Sequence, residues 1–262
     1  MEPRFEFGRN WQSFLATVNE ASIAQAEIGL RKLFPGNELA EASFLDIGCG
    51  SGLSMLAAKR LGARDVQGID LDPQSVAAAE QLLTDQARVL QRNIFDASPR
   101  ELGTFDIVHS WGVLHHTGEM WRALERACSF VRPGGLLAIA LYRKTPLCRL
   151  WDIEKRIYTT APRPMQSMIR GAYKSAFLAG LLSQGRNPKS YIREYRSARG
   201  MSWHHDVQDW LGGYPYESAS PQEVESQLAR NRFKLVRTFT TPARAGGLFG
   251  SHCDEFVARV AH

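Results

Sequence analysis

The sequence has no long apolar run. Its longest, Leu136 to Tyr142, follows Gly134-Gly135 and stops at Arg143, far short of the ~20 residues a membrane helix needs. The opening residues, Met1-Glu2-Pro3-Arg4, lead into mixed polar sequence without an apolar signal core. Cysteine is scarce. Cys49, Cys128, Cys148 and Cys253 lie far apart, with no C-x-x-C pair and no His/Cys cluster. That argues against a disulfide framework and a structural zinc site, and a reducing cytoplasm is the expected location. Internal repeats and low-complexity tracts are also lacking.

What is present is an ordinary globular composition. The chain has 262 residues, 44% of them apolar and 23% charged, enough for one large core with room for an insertion. Its net charge of +5 is unevenly spread: residues 143–200 hold 13 Lys/Arg against 3 Asp/Glu. Such a segment suits an acidic substrate, a nucleic acid or an acidic partner surface, or it is a solvated helical face.

Residues 44–142 alternate between short apolar runs and helical patterns. The runs are Ser43-Phe44-Leu45-Asp46-Ile47, Asp65 to Asp70, Ala87 to Asn93, Phe105 to Ser110 and Leu136 to Tyr142. Helices are expected over Gly52 to Leu61, from Asp72-Pro73 through Leu83, and over Glu119 to Val131, where Arg132-Pro133-Gly134-Gly135 ends the last. This rhythm predicts a parallel sheet covered on both faces. After it, Ser220-Pro221 opens a helix to about Asn231. Phe233 to Thr241 and Asp254 to Val260 then read as an antiparallel pair at the sheet edge, joined by a turn with Gly246, Gly247 and Gly250. The whole is an α/β, Rossmann-like sheet of seven mostly parallel strands, with an antiparallel edge strand and a helical insertion after strand five. The expected division is an N-terminal helical segment at 1–43, a core at 44–142 and 220–262, and a basic, aromatic-rich insertion at 143–219.

Chemistry concentrates at Leu45-Asp46-Ile47-Gly48-Cys49-Gly50-Ser51-Gly52, a strand running into a glycine turn that opens a helix. Glycines let a backbone approach a ligand, and the helix start offers free N–H groups. The dinucleotide fingerprint G-x-G-x-x-G is not met, because Leu53 stands at its last place. Asp46 before the turn would repel a pyrophosphate but suits a ligand bearing an ammonium group. Asp70 follows Gly50 by 20 residues, the spacing at which an acid reaches ribose hydroxyls. A nucleoside carrying an amine and no diphosphate fits these features, and S-adenosylmethionine (SAM) meets that description.

The chain resembles the class I SAM-dependent methyltransferases through Phe44 to Gly52, Gly68-Ile69-Asp70-Leu71-Asp72-Pro73, Phe105 to Ser110 and Arg132 to Gly135. The resemblance implies SAM as cofactor. Gly48, Cys49, Gly50 and Gly52 would lie under its methionine part, and Asp46 would orient the amine through water or a backbone neighbour. Asp70 would accept the ribose hydroxyls, with Leu71 beside the adenine, Ile94 under the ring and Asn93 at the adenine amino group. Asn93 also reads as a plain strand-end turn residue. Longer stretches, Phe7 to Leu15, Ser110 to Gly118 and Arg199 to Glu217, are similar to a subgroup found among sugar- and natural-product-pathway methyltransferases. There the N-terminal segment is a lid, which would set Trp11 and Phe14 over the cofactor.

The loop Ser110-Trp111-Gly112-Val113-Leu114-His115-His116-Thr117 follows strand four, so it borders the transferable methyl group. Ser110 and Trp111 are expected against the sulfonium. His115 and His116 are the candidate bases, with His115 preferred. The alternative is that one packs and the other is solvated. Tyr142, Arg143, Arg199, Trp203, His204, His205, Tyr214 and Tyr216 are the candidate acceptor-binding residues. Residues 199–217 would form a pocket wall, or an aromatic plug that buries the insertion. His204, His205 and Asp206 are poorly spaced for a metal, and no metal is expected. Arg193, Arg196 and Arg199 share a helical face that suits an anionic group.

The expected function is methyl transfer to oxygen or nitrogen of a small polar acceptor, anionic or sugar-like. The expected partners are that acceptor and a second copy of the chain, with no membrane and no nucleic acid. The competing readings are a nucleic-acid or protein methyltransferase using the basic insertion, and a SAM-binding protein without catalysis.

Overall fold

The computed structural model describes residues 7, 8, 11, 15, 18–199, 202–240 and 247–261, with only the backbone of 196–199. Phe14 and Gly246 therefore lie outside the described residues, as do the side chains of Arg196 and Arg199.

Helix α1 (Glu20–Leu33) is capped by Asn19, whose side chain accepts from the Ser22 amide. The core then runs β1 (Ser43–Ile47), α2 (Leu53–Arg60), β2 (Asp65–Asp70), α3 (Pro73–Leu83), β3 (Arg88–Gln91), the short α4 (Pro99–Leu102), β4 (Phe105–Trp111), α5 (Met120–Ser129) and β5 (Val131–Tyr142). Asp72 caps α3 by accepting the Gln74 amide at 2.8 Å, and Pro73 stands at the first helical position. After the insertion come α10 (Pro221–Arg230), β6 (Phe233–Phe239) and β7 (Cys253–Val260). Ser220 and Glu223 form both halves of a capping box on α10.

The seven strands lie in the order β3-β2-β1-β4-β5-β7-β6. β7 alone runs against the direction of the other six. It lies one strand in from the edge expected for it, with β6 outermost. From β1 the chain steps outward to β3, then returns to place β4 on the other side of β1. That reversal is the switch point at which α/β sheets bind ligands, beyond the carboxyl ends of the strands.

Alternation along the strands feeds two apolar layers. Leu45, Ile47, Val108, Leu137 and Ile139 pack under α5 and α10. Phe44, Val66, Ile107, Leu136 and Ala138 pack under α1, α2 and α3. β3 ends earlier than expected, because the Arg92 amide turns to the Asp70 carbonyl and Asn93 bends the chain. β5 starts earlier, because Val131 already pairs with Phe105 before the register shifts toward Leu136.

The insertion is helical: α6 (Cys148–Thr160), α7 (Arg163–Ser183), α8 (Pro188–Arg199) and α9 (Trp203–Gly212). It has its own core of Tyr158, Tyr195, Trp203, Val207 and Leu211. Its two ends meet where Arg143 bridges Ala219 beside the end of β5.

Candidate active site

The glycine turn sits at the switch point and is bolted to the end of β2. Gly48, Gly50 and Gly52 all take positive φ, 74°, 53° and 78°, a region that favours glycine. The amides of Gly48 and Cys49 donate to the Ile69 carbonyl at 2.8 and 3.1 Å. The Gly50 amide donates to Asp70 Oδ2 at 3.0 Å. A Cβ on Gly48 would stand 2.4 Å from Val113, so the turn is also packed from the β4 side. Gly52 occupies the N-cap of α2 and supplies no capping side chain, which leaves the helix start to a ligand or water.

Asp70 also accepts the Asp72 amide on Oδ1, at 2.9 Å. Burial pushes its carboxyl up to about 6, and nearby Asp72 and Asp46 push the same way against the two backbone amides. Each oxygen keeps a lone pair for a further donor. Desolvated and set among like charges, this carboxylate is built to receive neutral hydroxyl donors. Leu71 is half exposed beside it, and its carbonyl accepts from Gln91 Nε2 at 3.3 Å. Ile94 is buried. The Asn93 amide oxygen accepts the Phe95 amide at 3.1 Å, so it serves the turn with one lone pair and keeps the other for a further donor.

Asp46 is buried against His109, which it faces across the β1–β4 register, with Oδ1 2.8 Å from Nδ1. Its carboxylate is thus sealed behind the turn, and any influence on a ligand amine passes through the backbone. Cys49 is buried too, and its thiol is held well above the usual range by burial. Of the turn residues, it presents its backbone alone.

Three described points of the N-terminal segment cross this region. The Trp11 ring covers Gly50 so closely that a Cβ there would lie 3.0 Å away. The Gly8 amide donates to Asp72 Oδ2 at 2.8 Å. Phe7 stands 5.1 Å from the His116 ring. The clamp through Asp72 was not legible in the sequence, where Asp72 reads only as a helix cap.

Beyond β4 the two histidines separate in role. His115 is fully buried, its Nδ1 accepts the Tyr142 amide at 3.2 Å, and its Nε2 has no partner among the described residues. His116 is partly exposed and donates from Nδ1 to the Pro215 carbonyl at 2.8 Å. The Gly213 backbone is a second hydrogen-bond partner of the ring. Burial lowers both rings, His116 to about 4 and His115 well below the usual imidazole range, with Lys155 adding to the effect. The His115 ring is thus sealed in by the fold, whereas the His116 ring keeps some exposure between Phe7, Tyr142 and Gly213.

The returning arm of the insertion straps this loop. Gly213 lies against His116, where a Cβ would come within 2.6 Å. The Glu217 amide donates to the His115 carbonyl at 3.0 Å, and the Ala219 amide to Tyr142 at 2.9 Å. Around the histidines stand Tyr142, Trp210 and Tyr216, with Tyr142 3.9 Å from His115 and 5.3 Å from both Trp210 and Tyr216. Beneath them Lys155 is wholly buried, its Nζ 3.6 Å from the Trp210 ring and donating to the Trp210 carbonyl. Burial lowers its ammonium and raises the adjacent Glu154 carboxyl. Lys155 was missed in the sequence. Its signal was position: it lies four residues after Trp151 on the inward side of α6.

Other expected site residues point elsewhere. Ser110 is buried and donates to the Ile47 carbonyl at 3.0 Å, tying β4 to β1. Trp111 takes the opposite face of the strand and donates to Glu255 at 3.0 Å. Neither side chain is placed by a described contact against the glycine turn. Arg143 pairs with buried Asp254 at 3.3 Å. Trp203 sits in the insertion's own core beside Phe177. His204 accepts from Lys174, and His205 meets Ser202 at the start of α9. Tyr195 donates to Asp206. Tyr214 is buried on the returning arm.

Residues 45–139 match the family model described as a methyltransferase domain. Residues 45–139 are thus similar to a methyltransferase domain, in a fold of the class I methyltransferase type. The match covers the glycine turn, Asp70, the histidine loop and strands β1 to β5. A ribosomal protein L11 methyltransferase of Dechloromonas aromatica (strain RCB) is 39% identical over 97 residues, 37% of this chain and 31% of that protein. A ubiquinone biosynthesis O-methyltransferase of Xanthomonas euvesicatoria pv. vesicatoria (strain 85-10) is 35% identical over 112 residues, 42% of this chain and 46% of that one. The chain thus spans about a third of the first relative and under half of the second. The two are named for a protein and for a quinone pathway, so what they share with the methyltransferase core does not select an acceptor. In fold, the crystal structure of magnesium protoporphyrin IX methyltransferase from Synechocystis PCC 6803 with bound SAH superposes over 92% of this chain and 84% of that chain. Its TM-score is 0.55 at 16% identity.

Proposed function

We propose that the protein is a SAM-dependent methyltransferase acting on oxygen or nitrogen of a small, polar, ring-shaped acceptor such as a sugar-type metabolite. One observation carries this reading. The glycine turn and the Asp70 carboxylate meet at the switch point, and that carboxylate is desolvated, has no cation beside it among the described residues and keeps a lone pair on each oxygen. Those features fit an adenosine ribose and give no place to a pyrophosphate. Gly48, Gly50 and the start of α2 would hold the amino-acid part, with Leu71 and Ile94 at the adenine. When bound, SAM would supply a sulfonium methyl group for transfer to a nucleophile, the neutral thioether being the leaving group. The aromatic walls of Tyr142, Trp210 and Tyr216 suit the face of a ring-shaped acceptor. Trp11 and Phe7 would close over both ligands and exclude water.

In this reading His116, held at Nδ1 by the Pro215 carbonyl, would take the acceptor's proton through Nε2. Its low basicity is no obstacle, because an oxygen or nitrogen gaining a methyl becomes strongly acidic as bond formation proceeds. Alignment supplies much of the remaining rate. His116→Ala is expected to slow methyl transfer about 10²-fold while SAM affinity stays unchanged. Labelled methyl transfer to a panel of polar metabolites, with the variant run in parallel, checks this. A wild-type rate in the variant removes His116 from the reaction. SAM binding without transfer to any metabolite, protein or RNA points instead to a non-catalytic binder.

A further inference from the structure

The helical insertion turns an uncharged apolar face to solvent. On α6, Trp151, Lys155 and Tyr158 point inward. Leu150, Ile153 and Ile157 recur at helical spacing on the outer side and are 63%, 55% and 47% exposed. After Ala161-Pro162 comes α7, about 31 Å long, whose 21 residues include three charges. Arg170 turns to the Tyr158 hydroxyl at 2.7 Å, Lys174 is held by His204, and Arg163 stands at the start. The solvent side is therefore uncharged, with Met165, Met168 and Leu182 set among small residues such as Ser167, Ala172, Ser175 and Ala176, and Met168 is 73% exposed. An ordinary surface helix places charges there, and an apolar face of this extent marks an interaction site.

The charges bordering this face decide its partner. Arg149, Arg156 and Arg163 are exposed along it, against Asp152 alone, within the segment that carries 13 Lys/Arg and 3 Asp/Glu. Packing it on a second copy would bring two strongly positive segments together. An anionic bilayer surface complements both features, with apolar side chains at the acyl boundary and arginines at the phosphates. We infer that the outer face of α6 and α7 docks on an anionic lipid surface. No helix among the described residues is long and apolar enough to cross a membrane, so the contact is with the surface. The sequence expectation of no membrane partner rested on the lack of a spanning run, and a docking face becomes visible only once the inward sides of these helices are known.

The inference is independent of methyl transfer and is tested by vesicle sedimentation of the full chain. Wild-type protein is expected to pellet with phosphatidylcholine vesicles containing phosphatidylglycerol, to be released by high salt, and to stay in solution with phosphatidylcholine alone. Leu150→Glu combined with Met168→Glu is expected to weaken partitioning at least tenfold. Arg149→Gln and Arg156→Gln are each expected to weaken it about fivefold. All variants should keep the wild-type melting temperature, since these side chains face solvent. Failure of the wild type to pellet with anionic vesicles, or undiminished binding by the double Glu variant, overturns the inference. So does light scattering that shows a dimer dissociated by the same variant, which would assign the face to a second copy.

Discussion

Asp70→Ala is expected to lower SAM affinity at least 100-fold by titration calorimetry. Two hydroxyls donating to one carboxylate form charge-assisted bonds, each worth about 1.5–3 kcal/mol, and the variant loses both. It also frees the Gly50 amide, which Asp70 Oδ2 holds at 3.0 Å, so the turn loses its tie to β2. The pH dependence gives a second readout of the same group. Burial holds the free carboxyl near about 6, and donors to the ionised form lower that value in the complex. Affinity should therefore be level above about pH 7 and fall as pH drops through about 6. The unliganded protein has the opposite linkage. With a folded value above the ordinary 3.8, ionised Asp70 costs stability above pH 6, and this cost is relieved as pH falls toward 4. Asp70→Asn should flatten both dependences. An unchanged affinity in Asp70→Ala refutes the ribose assignment.

His109→Leu is expected to destabilise the fold by about 3 kcal/mol, because it strands a buried carboxylate. Asp46 and His109 are both almost fully buried, and their side chains meet at 2.8 Å. In a chain of this size that loss lowers the melting temperature on the order of 10 °C. The double variant Asp46→Leu, His109→Leu should recover most of the stability, since removing both partners leaves no orphan. Thermal unfolding of the two variants without ligand decides the matter. If the double variant is as unstable as the sum of the singles, the two residues do not act as a pair.

The sheet was legible because its strands are short apolar runs and its turns carry their own signals. Asp72-Pro73, Ser220-Pro221-Gln222-Glu223 and the three glycines each mark a boundary that local chemistry alone sets. The glycine turn and Asp70 were legible for the same reason, since 20 residues of strand, helix and strand return the chain to one edge. Contacts across the fold were not. Nothing local tells that Asp46 faces His109, although both stand among apolar strand residues and the parallel register aligns them. The histidines look alike in sequence, and only the strap from Gly213 to Ala219 sets them apart, bonding the His115 carbonyl and the His116 ring. Trp203 and His204 belong to the same aromatic-rich stretch as Tyr216, yet helix α9 turns them into the insertion or toward Lys174. Helical periodicity could have found Lys155, but a lysine four residues after a tryptophan reads as a surface position until its inward face is known.

The central claim is that the turn at Gly48 to Gly52 and the Asp70 carboxylate hold an adenosine-linked amino acid. A crystal structure with S-adenosylhomocysteine tests it most directly. The account predicts both ribose hydroxyls on the two oxygens of Asp70, the amino-acid part over Gly48 and Gly50, and the sulfur facing His116. Density for the ligand elsewhere, or a ribose with no bond to Asp70, would contradict it.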